Sequence, residues 1–487
     1  MLDFDVRDGR VMVSLGRLTQ GKYCTYSCPF CYVQSNNYGS YHSLDVSQIV
    51  EWIRNVKEPY DIIYVSGDTD SFAPPRAETG IELLEALCEF DVDILFTTRA
   101  LFSENHIERL KNIRSKLDKK NRLLFGCVSI SQLHNPDVEP HPIPTPYKRL
   151  EQLQRFKEIG IVSVLAMRPF LPVIPDSEYI EIVNLSKSKV DIILGSAWYF
   201  DTEQIIEKRL LHDEIIEFKF SYTKIDFHES NAVWKVYYGQ ETELIISRIC
   251  GELTIPFFMR SSPAINFARN KKLKKFKSVV FDLDNTIYPS SNGISGLIDN
   301  NVVEYIQNKL RMDRVSAEEL SKKYQEKYGL AVCGLIKDFK IDIDDFFEVT
   351  HNIDYQSQVK LNPELPLLLN KIPIQKTIFS NAPKKHVDSV LERLNIKDCF
   401  DLVLDLNYLD INPKPSAQSY SRLLDAVGYS PENIIIIDDN PNNLIPAKLM
   451  GMTTILVTEF SINSDNKADF SVSNIVEAIN LVMCLVN

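Results

Sequence analysis

Short apolar runs, each followed by an amphipathic stretch, recur along this chain and restrict it to folds built on parallel strands. In the first half the runs are VMVSL (11–15), DIIYVSG (61–67), DILFTT (93–98), RLLFGCVSIS (122–131), IVSVLAMRPF (161–170) and DIILGSAWYF (191–200). Between them lie helical patterns such as ETGIELLEALCEF and YKRLEQLQRFKEIG. Neighbouring parallel strands need a long crossover, and an amphipathic helix is the usual one, so this alternation predicts an α/β fold. The stretch 213–240, rich in β-branched and aromatic residues, reads as an antiparallel extension. A basic segment, RNKKLKKFK (269–277), then breaks the pattern and reads as a solvated linker rather than an anion contact. After it SVVFDLDNT opens a second series, continued by KTIFS (376–380), DLVLD (401–405), NIIIID (433–438) and TTILV (453–457). A helical insert at about 289–370 interrupts that series. The expected organisation is a domain over 1–265, a basic linker over 266–277 and a second domain over 278–487.

At 487 residues the chain exceeds one ordinary core. A formal net charge of −12 favours small-molecule partners and argues against general nucleic-acid binding, though a local basic patch stays compatible with it. The opening MLDFDVRDGR has no apolar signal region, and no run reaches the roughly 18 apolar residues of a spanning helix. The expectation is a cytoplasmic protein with no membrane partner. Of nine cysteines, Cys24, Cys28 and Cys31 are crowded together, while the other six are scattered and read as small buried hydrophobes.

Cys24-Thr-Tyr-Ser-Cys28-Pro-Phe-Cys31 has the spacing C-x3-C-x2-C. Three thiolates this close can ligate three irons of a cubane cluster and leave the fourth open to a substrate. A zinc site completed by His42 is the alternative; the distance to His42 and the lack of a second C-x2-C pair disfavour it. The spacing, with aromatic Phe30 before the last cysteine, resembles the radical S-adenosylmethionine (SAM) superfamily over residues 1–265. GKYCTYSCPFCYV, SGDTDSF and VLAMRPFLP are similar to its spore-photoproduct-lyase-like branch. The resemblance implies a partial (β/α)6 barrel, a [4Fe–4S] cluster, SAM as source of a 5′-deoxyadenosyl radical, and an electron donor such as flavodoxin or ferredoxin. It also implies cofactor-binding roles for Phe30, for Asp68 (or Asp70) in the degenerate Ser66-Gly67-Asp68 segment, for Ser129 or Ser131 at the ribose, and for Arg168 at the SAM carboxylate. Cys250, in RICGEL, reads as a packed thiol rather than a hydrogen-atom donor.

In the second half four polar groups each follow an apolar strand: Asp282-Leu-Asp284-Asn-Thr286, Ser380-Asn381, Lys414 and Asp438-Asp439. In an open α/β sheet such groups converge off the carboxyl ends of the strands. They suit phosphoryl transfer, with Asp282 as nucleophile and Asp284 as acid and then base. Ser380 and Asn381 would bond the phosphoryl oxygens, and Lys414 would neutralise charge. Thr286 completes the catalytic set. Mg²⁺ would be held by Asp282, Asp284, Asp438 and Asp439, with Asp439 the more direct ligand of the last pair. The set resembles the haloacid-dehalogenase (HAD) superfamily over 278–487, and implies a doubly wound Rossmann-like sheet. FDLDNTIYPSS, YQEKYGLAVCGL, DFFEVTHNIDY and IFSNAP are similar to its pyrimidine 5′-nucleotidase branch. That likeness implies a helical cap over the site, and nucleoside monophosphates or small phosphomonoesters as substrates. In the cap segment Tyr328, Lys337, His351 and Tyr355 read as surface or packing residues. The expected function is therefore a bifunctional enzyme, with radical modification of a nucleotide-like metabolite and phosphomonoester hydrolysis. The alternative is a radical enzyme acting on nucleic acid, with an accessory nucleotidase.

Overall fold

A computed structural model of the chain describes residues 4–7, 9–15, 24–32, 45–67, 69–211, 217–224, 233–458 and 468–487. The chain divides into two compact units, Met1–Ile265 and Asn266–Asn487.

The first unit carries β1 (Phe4–Arg7), β2 (Arg10–Val13), β3 (Ile62–Val65), β4 (Asp93–Thr98), β5 (Leu124–Ser129), β6 (Val162–Met167) and β7 (Ile192–Gly195). β8 (Trp198–Phe200), β9 (Ser221–Lys224), β10 (Val233–Tyr237) and β11 (Phe257–Phe258) follow. The main sheet runs β1-β2-β3-β4-β5-β6-β7-β11. Apart from the antiparallel β1–β2 edge, every pairing in it is parallel. From β2 to β7 each strand lies beside its neighbour in sequence, the strand order of a partial (β/α)6 barrel. These strands are apolar throughout because both faces are covered; all six residues of β5 are buried. Gly126 in β5 is required by that packing: a Cβ there would stand 2.6 Å from the Phe156 ring.

The run 191–200, expected as one strand, is two. It breaks after Gly195, where the Phe170 ring and the Met259 sulfur stand 2.8 and 2.7 Å from the place of a Cβ. β8 then leaves the main sheet and joins the antiparallel order β8-β10-β9. Both halves of the run are buried, so apolarity alone could not mark the break.

The second unit carries β12 (Ser278–Phe281), β13 (Gln375–Phe379), β14 (Leu402–Leu404), β15 (Ile434–Asp438), β16 (Thr453–Val457) and β17 (Phe470–Val472). Their order is β14-β13-β12-β15-β16-β17, parallel throughout. The first strand in sequence lies centrally, and the chain winds outward from it in both directions. The reversal falls between β12 and β15, so the crevice for a ligand opens at their carboxyl ends. Between β12 and β13 the insert forms helices Ile294–Leu310, Arg314–Tyr328, Ala331–Phe339, Ile343–Thr350 and Tyr355–Gln358. They enclose a core of their own that includes Ile306, Ala317, Leu335 and Phe346.

The basic segment, expected as a solvated linker, begins in a helix. Helix Ser261–Leu273 runs through most of it, with Phe267 and Ala268 buried. Lys271 Nζ donates to the Cys484 carbonyl at 3.1 Å, and Lys274 Nζ donates to Thr453 Oγ1 at 2.9 Å. The lysines cap backbone and hydroxyl acceptors of the second unit, and their charge hid a helix whose apolar face is narrow. No helix among the described residues is long and apolar enough to cross a membrane.

Candidate active sites

The cysteine loop lies among the segments that leave the carboxyl ends of the first sheet. Cys31 N–H donates to the Cys28 carbonyl at 3.1 Å and closes a turn. Thr25 Oγ1 donates to the Pro74 carbonyl at 2.6 Å, Trp198 Nε1 to the Phe30 carbonyl at 3.1 Å, and Arg209 Nη2 to the Cys31 carbonyl at 3.1 Å. Segments beyond β3 and β7 thus hold the loop in place. Burial pushes the Cys24 thiol up to about 11, with Asp70 adding to the rise. Burial pushes Cys28 up to about 12, against the pull of Arg99. Such thiols ionise when iron replaces their protons, which is how thiolate centres assemble. Around a single zinc ion thiolates lie about 4 Å apart. Among the described residues the group tight enough to share one ion, within 4.8 Å, does not include these three cysteines. Three cysteines on one pinned loop are a donor set that fits an iron–sulfur cluster. His42 and Asp68 lie outside the described residues.

The other residues singled out here make bonds within the protein, Ser129 through its backbone carbonyl. Asp70 accepts from Phe72 N at 3.0 Å, Thr98 Oγ1 at 3.0 Å and Arg99 N at 2.6 Å, tying the loops beyond β3 and β4 together. The Ser129 carbonyl accepts from Arg149, and Ser131 Oγ donates to the Arg168 carbonyl at 2.7 Å. Arg168 directs Nε at the Gly195 carbonyl (3.2 Å) and Nη1 at Ser261 Oγ (3.3 Å). Besides Arg209, the Arg99 guanidinium reaches the cysteine loop, 5.5 Å from the Phe30 ring centroid. Glu139 holds it at 2.9 Å and also takes Arg149 at 2.5 Å. Arg149 and Glu139 are fully buried. Sequence reasoning missed Arg99; its signal was its place directly after the apolar run of β4, the same kind of place that singled out Arg168. Cys250 sits on helix Gln240–Glu252 within the apolar core, a packed thiol.

In the second unit the four polar groups meet at the crevice. Asp282 follows β12, and its N–H donates to the Ile437 carbonyl at 2.9 Å. Asn285 takes φ 60°, a left-handed conformation that Asn tolerates, and the turn returns Thr286 Oγ1 to Asp282 Oδ2 at 2.8 Å. Lys414 Nζ donates to Asp282 Oδ1 at 2.6 Å and to Asp438 Oδ2 at 2.8 Å. Asn381 fixes the lysine loop, exchanging bonds of 3.1 and 2.7 Å with the Lys414 backbone. Ser380 Oγ accepts from Ala382 N at 3.0 Å. Asn443 Nδ2 and Asn440 N hold Asp438.

Asp282, Asp438 and Asp439 bring carboxylate oxygens within 4.8 Å of one another. Burial pushes Asp282 well above the usual carboxylate range; Lys414 pulls it back, and Asp438, Asp439 and Asp284 push it further up. Burial and then Asp438 lift Asp439 to about 6. Three carboxylates against one ammonium leave two negative charges, which a divalent cation with oxygen ligands would balance. The residues present fit magnesium.

The Asp284 side chain, also expected as a ligand, lies outside that group of side-chain oxygens. Its Oδ1 accepts from Tyr288 OH and lies 2.7 Å from His386 Nε2. Burial alone would raise its pKa, but His386 and Tyr288 outweigh it and hold the carboxyl below its usual range. His386, on helix Lys384–Arg393, went unnoticed in the sequence because one histidine among lysines reads as surface. Two insert residues expected to be ordinary also reach this place: Tyr355 OH lies 3.0 Å from His386 Nδ1, and the His351 ring packs edge-on to His386 at 5.4 Å. Tyr328 and Lys337 instead pair with each other, Lys337 Nζ 5.4 Å from the Tyr328 ring.

The radical SAM superfamily model matches residues 19–186, and the haloacid dehalogenase-like hydrolase model matches residues 276–451. Phosphate metabolism protein 8 of Saccharomyces cerevisiae is 28% identical over 235 residues, covering 42% of this chain and 72% of that protein. Enolase-phosphatase E1 of Lachancea thermotolerans is 28% identical over 107 residues, covering 21% of this chain and 46% of that protein. Among solved structures, a HAD phosphatase from Thermococcus onnurineus is similar at 20% identity and a TM-score of 0.31, covering 42% of this chain and 96% of that one. The L-2-haloacid dehalogenase from Xanthobacter autotrophicus is similar at 16% identity and a TM-score of 0.30, covering 43% and 98%. On the family matches and the two sites together, the chain is an enzyme that joins a radical SAM domain to a haloacid dehalogenase-like hydrolase domain.

Proposed function

We propose that the chain is a bifunctional enzyme that modifies a nucleotide or related small phosphorylated metabolite by radical chemistry and hydrolyses a phosphomonoester through an aspartyl-phosphate. The observation that carries the hydrolytic half is Lys414 Nζ bridging Asp282 and Asp438 beside Asp439. Asp282 attacks phosphorus as the alcohol leaves, and Asp284 supplies the proton that the leaving oxygen needs. In the second half Asp284 takes a proton from water as water attacks the aspartyl-phosphate, releasing phosphate and restoring Asp282. The anionic state that His386 and Tyr288 favour at Asp284 suits this base step. Ser380 and Asn381 flank the phosphoryl group, and Lys414 counters the burial and the neighbouring carboxylates that raise Asp282. Asp282, Asp438 and Asp439 would hold Mg²⁺, which supplies charge neutralisation at the phosphoryl oxygens. The helical insert serves as the cap, and nucleoside monophosphates are the substrate class its sequence likeness supports.

In the radical half Cys24, Cys28 and Cys31 would hold a [4Fe–4S] cluster, which with SAM supplies hydrogen-atom abstraction. The protein's own part is to bury the thiols, pin their loop through Trp198, Arg209 and Pro74, and set the Arg99 cation beside Cys28. A flavodoxin- or ferredoxin-like donor would supply the electron. The test is anaerobic reconstitution followed by two assays on one preparation: SAM cleavage, and Mg²⁺-dependent phosphate release from a nucleoside monophosphate panel. Both activities should appear. Phosphate release that needs no divalent ion, or no SAM cleavage at full iron loading, would refute the corresponding half.

A further inference from the structure

We propose that His386, held by Tyr355 of the cap, is the positioning residue that aims Asp284 for proton transfer, so that the acid–base step depends on the seated cap. This rests on the phosphatase reading above. Asp284 receives both Tyr288 OH and His386 Nε2 on Oδ1, while Oδ2 has no partner among the described residues. Its side chain is 26% exposed and that of His386 is 0% exposed, so the buried side of the carboxylate is clamped and the other side stays open. Two hydrogen bonds to one oxygen fix the plane of the carboxylate and leave Oδ2 to exchange the proton.

His386 has itself one seat. It lies on the helix that follows the Ser380-Asn381 loop, and Tyr355 OH meets its Nδ1 at 3.0 Å while Asp284 meets its Nε2 at 2.7 Å. Tyr355 also donates to the His351 carbonyl at 3.2 Å, within the insert. The chain Tyr355–His386–Asp284 thus begins in the cap and ends on the carboxylate that serves the leaving group. In the transfer, the bond from Asp282 to phosphorus forms, the phosphorus–alkoxide bond breaks, and the alkoxide takes the proton of Asp284 Oδ2. In hydrolysis, water returns that proton as its oxygen displaces Asp282. A misaimed Asp284 slows a leaving group that needs a proton far more than one that leaves as a stable anion.

The experiment uses the full chain with Mg²⁺ and two substrates, a nucleoside 5′-monophosphate and p-nitrophenyl phosphate. His386→Ala should lower kcat on the nucleotide by about a hundredfold, within the range of general acid catalysis, with KM changed little and a much smaller loss on the aryl ester. His386→Gln, which keeps a side-chain N–H donor, should recover most of that loss. Tyr355→Phe should show the same selectivity at about tenfold. Equal losses on both substrates, no recovery with Gln, or a wild-type Tyr355→Phe would each overturn the proposal. Should His386→Ala not fold, the Gln and Phe variants carry the test alone. Asp282→Asn is the control for the reading beneath it: activity retained on both substrates there would refute the aspartyl-phosphate mechanism, whatever His386 does.

Discussion

Single charges decide both sites, because each lies where water cannot screen it. Glu139 is wholly buried and holds two guanidinium groups, Arg149 and Arg99. Removing the acid takes the shared buried counter-charge from both cations, a loss of about 3–5 kcal/mol. Glu139→Gln should therefore lower the stability of the first unit by that amount. All three tryptophans (Trp52, Trp198 and Trp234) lie in that unit, so denaturant unfolding followed by tryptophan fluorescence reads it directly; an unchanged midpoint would contradict the burial argument. At the hydrolase site Asp282→Asn should cut phosphate release by about a thousandfold or more while the iron content stays unchanged. Conversely, replacing Cys24, Cys28 and Cys31 together by Ala should abolish iron–sulfur absorbance after anaerobic reconstitution and spare phosphatase activity, whereas Cys250→Ala should keep the cluster. Full absorbance in the triple variant would place the cluster elsewhere. The cysteines and the DLDNT segment were legible because their spacing is local. Arg99, Glu139 and His386 were not, since Arg99 and Glu139 meet across 40 residues of chain and His386 reaches Asp284 across 102.

At the scale of elements, the insert is a small helical body whose tie to the sheet domain is polar. His351 ends helix Ile343–Thr350 and is depressed to about 3, chiefly by burial and then by His386. The unfolded segment takes a proton near the ordinary value of 6.5, and the folded segment does not until about 3. Across that window the unfolded state binds more protons, so the stability of the insert is lost as pH falls below 6.5. Hydrogen exchange of a peptide covering 343–358, corrected for the intrinsic rate, should be faster at pH 5 than at pH 7. His351→Gln should flatten the difference; equal protection at the two pH values would show that His351 is not the titrating group. The helices of the insert were readable from their amphipathic pattern, but not which of their residues face the crevice. The basic segment shows the opposite case: composition suggested a linker, and packing made a helix of it.

For the whole molecule, the two proposed sites on one chain predict a preference. The phosphatase should act on the product of the radical domain with a higher kcat/KM than on its unmodified precursor, through contacts the cap makes in the transition state. The comparison is made on the full chain, with purified product and precursor supplied separately and SAM withheld; equal values would leave a general phosphatase joined to an unrelated radical enzyme. By itself the sequence determined the two α/β units, the strand runs, the cysteine triplet and the order of the four hydrolase motifs. Those follow from periodicity and from groups adjacent in the chain. Only the tertiary structure decided that 191–200 is two strands in two sheets, that Arg99 lies over the Phe30 ring of the cysteine loop, and that the Asp284 side chain meets His386 and Tyr288. Each of these depends on which distant side chains share a buried space, and burial is what turns a proximity of 3 Å into an interaction strong enough to assign a role.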